Sequence, residues 1–81
     1  MPEITIKAAW EDFERALIPP DAGPIQHQEM RRAFYAGAWA MFQTVIAIGE
    51  PEVSENESFA TLQNCGLELT QFRDDVLAER A

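Results

Sequence analysis

An all-α fold of three helices is what this sequence predicts, on three observations. Apolar residues recur at steps of three and four along most of the chain, the period of one helix face, and nowhere alternate in the two-residue rhythm of a strand. Two clusters of chain breakers, Pro19-Pro20-Asp21-Ala22-Gly23-Pro24 and Gly49-Glu50-Pro51, cut the chain into three segments. A length of 81 residues leaves room for one core. The expectation is a single domain over residues 1–81, with helices at about 4–18, 24–48 and 54–79. The first is shorter and the two longer ones are antiparallel.

The first helix is read from Ile6, Ala9, Trp10, Phe13 and Leu17, which share one face, and from the double proline that stops it. Pro24 suits the first position of the second helix, where a missing N–H costs nothing, and Gly49 followed by Pro51 ends it. The third helix opens on Ser54-Glu55-Asn56-Glu57, the pattern in which Ser54 and Glu57 cap each other's end of the turn. Along it Leu62, Cys65, Leu69, Phe72 and Val76 make a coiled-coil-like seam, with Phe59 one turn upstream.

The second helix is apolar on nearly all sides. Met30, Phe34, Gly37, Met41, Val45 and Ile48 fall on one stripe, and Tyr35, Trp39, Phe42 and Ile46 on another across the helix. Ala36, Ala40 and Ala47 hold a third sector with Gln43. Two short partners from one chain cannot cover such a helix, so an interlocked homo-oligomer is expected. A membrane span is the competing reading. Residues 33–49 carry no charge, but they fall short of the roughly 20 residues a span needs and are diluted by alanine, glycine, Gln43 and Thr44. No membrane partner is expected.

Charge narrows the function classes. Fourteen acidic residues against six basic give a net charge of -8, which argues against a DNA or RNA polymer as partner, since such binding draws on clustered Lys and Arg. The acid is uneven. Residues 50–81 hold eight Asp and Glu against Arg73 and Arg80, whereas residues 19–49 balance Asp21 and Glu29 with Arg31 and Arg32. The start of the second helix, with its positive dipole end, His27 and Arg31-Arg32, is therefore the locus suited to a small anion.

Catalysis has little to build on. One histidine and one cysteine exclude an internal disulfide and a zinc cluster, and Cys65 sits on an apolar seam where an inert thiol is expected. Neither catalytic residue, metal nor cofactor is expected. The chain opens without a basic region leading into an apolar stretch, and an unpaired thiol suits a reducing compartment, so a cytoplasmic location is expected.

Residues 28–38, Gln-Glu-Met-Arg-Arg-Ala-Phe-Tyr-Ala-Gly-Ala behind a proline-rich turn, resemble a stretch that recurs in small helical proteins of bacteriophages. With the chain length and the short-long-long helix order, the sequence is similar to the phage anti-CBASS sponge family. That resemblance implies small helical subunits interlocked in a homo-oligomer. It also implies that they sequester cyclic di- or trinucleotide signals in the host bacterial cytoplasm without hydrolysing them, an act of host immune evasion. By the same resemblance, Trp10 would stack on a base while Gln26, His27 and Arg31 hold the anion. The alternative from another class is an acidic protein–protein interaction module that inhibits a host protein through Glu50, Glu52, Glu55 and Glu57.

Overall fold

A computed structural model describes residues 3–81. It contains α1 (Ile6–Leu17), α2 (Pro24–Ile48) and α3 (Glu55–Leu77), and no strand among the described residues. The fold is all-α. Nor, among these residues, is any helix long and apolar enough to cross a membrane. The chain forms two compact units, one reaching Thr44 and one beginning at Val45, so α2 contributes to both.

In the first unit α1 and α2 pair as an antiparallel hairpin, because contacts along α1 meet α2 in reverse order. Ile6 shares a depression with Trp39 and Phe42, Trp10 meets Phe34, and Glu14 meets His27. The centre is aromatic. The Trp10 ring lies 5.8 Å from Phe13 and 5.5 Å from Phe34, and Phe13 and Phe34 are 5.2 Å apart, all tilted or offset as ring quadrupoles prefer. Among the described residues of the unit Trp10 and Ile18 are the buried ones, each 5% exposed. Ile18 also caps α1, its N–H reaching the Glu14 carbonyl at 3.1 Å before the prolines turn the chain.

The helix ends differ slightly from the sequence expectation, for local reasons. α1 starts at Ile6 because Thr5 is extended and its hydroxyl accepts the Ala8 N–H at 3.0 Å, a cap that the apolar period does not register. α3 begins just after Ser54, with both halves of the capping box made: Ser54 accepts from the Glu57 N–H, and Glu57 accepts from the Ser54 N–H, each at 3.1 Å. It stops at Leu77, two residues before the expected end. Glu79 takes a left-handed backbone, φ 58°, which closes the helix, and Arg80 folds back onto Asp75 at 2.8 Å.

The second unit joins the last turn of α2 to α3. Gly49 and Glu50 donate to Ile46 and Ala47, and the Ser58 hydroxyl donates to the Ile48 carbonyl at 2.7 Å, so the last three carbonyls of α2 have partners. No residue from Val45 onward is buried. Gly37, on the same stripe as Phe34, has nothing packed against it beyond its own helix backbone within 4 Å of where a Cβ would stand.

Two stability predictions follow from these contacts. Trp10→Ala should cost about 3–5 kcal/mol of a total that is only about 4–12 for a chain of this size. Ser54→Ala should cost about 1 kcal/mol. Urea titrations followed by helical circular dichroism check both. A Trp10→Ala loss under 1 kcal/mol would mean that the aromatic cluster is not the core.

A candidate anion site with an aromatic floor on the second helix

The first turn of α2 has Pro24 at its head, and the His27 N–H already returns to the Gly23 carbonyl at 3.1 Å. Side chains add to what the remaining first-turn N–H groups offer an anion. His27 is half-buried, with Nδ1 3.2 Å from Glu14 Oε2, so α1 provides a carboxylate for the imidazole and the ring serves the hairpin. Gln26 is exposed one residue earlier and lines neither depression described below.

Arg31 is placed differently. Its guanidinium lies 5.5 Å from the Tyr35 ring centroid, a cation–π contact one turn along the same face, and among the described residues it pairs with no carboxylate. Arg32 approaches Glu29 at 3.6 Å, an exposed contact that holds the side chain weakly. Gln28, Arg31, Arg32 and Tyr35 together line an open depression of about 310 Å³.

A second depression, of about 370 Å³, adjoins it. Ile6 of α1 and Tyr35, Ala38, Trp39 and Phe42 of α2 form its almost wholly apolar lining. Trp39 is 59% exposed and stands 5.8 Å from Phe42. Tyr35 belongs to both depressions, so two guanidinium groups and an open aromatic surface are continuous along one face of α2. Such a face can take a ligand with an anionic end and a planar apolar body: the cations meet the charge, and the rings offer π-faces.

The four site residues expected from the sequence thus separate. Trp10 is in the core, its ring covered by Phe13 and Phe34, so its indole is not open to a base in this chain. His27 is engaged by Glu14, Gln26 lies outside the depressions, and Arg31 lines one. Tyr35, Trp39 and Phe42 are legible in the sequence as an α2 stripe, and the structure adds their relation to the arginines. The signal was the spacing itself: residues 28, 31, 35, 39 and 42 step by three and four along one helix face.

Compared with protein-family models, curated proteins and solved structures, the chain matches none.

The two indoles give a direct check of this geometry. Acrylamide should quench Trp39 several-fold more efficiently than Trp10, with Trp39→Phe removing the red-shifted, accessible emission and Trp10→Phe leaving it. Equal quenching of the two single-tryptophan variants would contradict the placement.

Proposed function

We propose that this chain is a non-enzymatic sponge that binds cyclic di- or trinucleotides and acts for a phage in the cytoplasm of its host. One observation carries the reading: the Arg31 and Arg32 guanidinium groups adjoin the half-buried Tyr35 ring and the exposed Trp39 and Phe42 rings on one face of α2. Cyclic oligonucleotides present phosphates and bases together. Arg31 and Arg32 would hold phosphate oxygens through charge-assisted hydrogen bonds, Gln28 would offer its amide to a base edge, and Trp39 would stack on a base. Stacking contributes roughly 1–3 kcal/mol per base.

Size supports a site shared between subunits. The 310 Å³ depression is at the small end of ligand pockets, about 300–1,000 Å³, and both depressions are open to solvent. A second copy would close them and supply further donors, and the same contact would cover apolar side chains such as Trp39, Phe42 and Ile46 that are more than half exposed. The homo-oligomer and the ligand are thus parts of one reading. Capture without cleavage needs no nucleophile or base, and the site residues are binding groups alone.

Titration calorimetry against a panel of cyclic di- and trinucleotides tests the proposal. Binding tighter than about 10 µM is expected. Arg31→Ala should weaken it roughly tenfold or more by removing a charge-assisted contact, and Trp39→Ala about 10- to 100-fold, both with unchanged helicity. Mass spectrometry of the released ligand should find it intact. No binding by any member of the panel would sink the proposal. If binding to a host protein appeared instead, and disappeared when Glu50, Glu52, Glu55 and Glu57 were neutralised, the acidic-module alternative would hold.

A further inference from the structure

The seam of α3 lies outside the proposed ligand site, and its side chains are exposed except for the half-buried Cys65. Taking Leu62, Leu69 and Val76 as heptad positions a, and Cys65 and Phe72 as positions d, the seam runs unbroken over two heptads. Leu69 is 64% exposed and Phe72 59%, while Leu62 and Val76 are nearly half exposed. The helix is already formed and capped at its N-terminus by the Ser54–Glu57 box. That matters, because two heptads are too few for an isolated peptide to associate, and a preformed helix has met the ordering cost beforehand.

The flanking charges select both the occupant and its direction. Glu68 precedes Leu69 at position g, and Arg73 follows Phe72 at position e; both are exposed. In a parallel pair of identical helices, g of one chain faces the next e of the other. Glu68 then meets Arg73 of the partner subunit, twice by symmetry. In an antiparallel pair on the same seam, g faces g, which sets Glu68 beside Asp75 of the partner subunit, like against like. Within the chain Arg73 has only the adjacent Asp74 at 3.3 Å, and among the described residues Glu68 has no ion-pair partner.

We infer that a second copy of this chain covers the α3 seam, the two α3 helices running parallel with Leu62, Cys65, Leu69, Phe72 and Val76 in register and Glu68 facing Arg73 of the partner subunit. This deepens the homo-oligomer of the proposed function by assigning one of its surfaces. It does not depend on the ligand.

The parallel arrangement has a chemical signature. It brings the two Cys65 residues face to face, within the Cα–Cα reach of about 4.4–6.8 Å that a disulfide needs, whereas the antiparallel one sets each against Val76 of the partner subunit. Two thiols and one diamide give one disulfide and one hydrazine, the diamide taking both hydrogens. The wild-type chain, free of nucleotide, should convert to a covalent dimer with helicity retained, and Cys65→Ser should not. In sedimentation, Glu68→Arg should weaken association about tenfold, two like-charge contacts replacing two attractive ones. Adding Arg73→Glu to the same chain should restore it. Both sites are exposed, so the variants test association and not folding. A monomer up to about 100 µM, an oligomer indifferent to Glu68→Arg, or one that resists cross-linking at Cys65 overturns the inference. Loss of nucleotide binding with the dimer intact would sink the sponge reading alone.

Discussion

The cluster of Trp10, Phe13 and Phe34 is the contact on which the first unit depends. Three rings within 6 Å of one another bring α1 onto α2 at one depth and one rotation. Each such pair is worth about 0.5–1.5 kcal/mol beyond its buried area. Glu14 then reaches His27 at one end of the hairpin, and Ile6 reaches the Trp39 and Phe42 surface at the other. Both consequences follow from one docking geometry.

That geometry divides the aromatic residues of α2 between two tasks. Phe34 points into the hairpin, while Tyr35, one residue later, borders the depression that holds Arg31. Trp39 and Phe42 continue its line and stay open. A side chain committed to the core cannot also present a face to a ligand. Core and candidate site therefore use different rings of one helix, separated by the 100° between successive residues.

The second unit is organised by hydrogen bonds at its corner more than by a core. Ser58 joins the end of α2 to the start of α3, and the Ser54–Glu57 box closes the first turn. Apolar burial is small there: Leu67, Leu69, Phe72 and Leu77 are all mostly exposed. They lie on a helix that is nonetheless capped and regular, and the proposed second copy would cover Leu69 and Phe72 among them.

The sequence by itself determined the three helices and most of their ends, because breakers, caps and period are local. Pro24, Gly49 and the Ser54–Glu57 box act within a few residues of chain, and so do the i, i+3 and i+4 steps that set each face. It also separated the acidic last third from the balanced middle. Only the tertiary structure decided which member of each class does what. Periodicity put Trp10 on the apolar face of α1 but could not say that Phe13 and Phe34 would cover it, since that depends on α1 and α2 meeting across a turn. His27 and Arg31 are one helical turn apart and looked equivalent. Glu14, thirteen residues before His27, engages the imidazole and leaves the arginine to the open face. Contacts between segments carry that information, and they exist only once the hairpin closes.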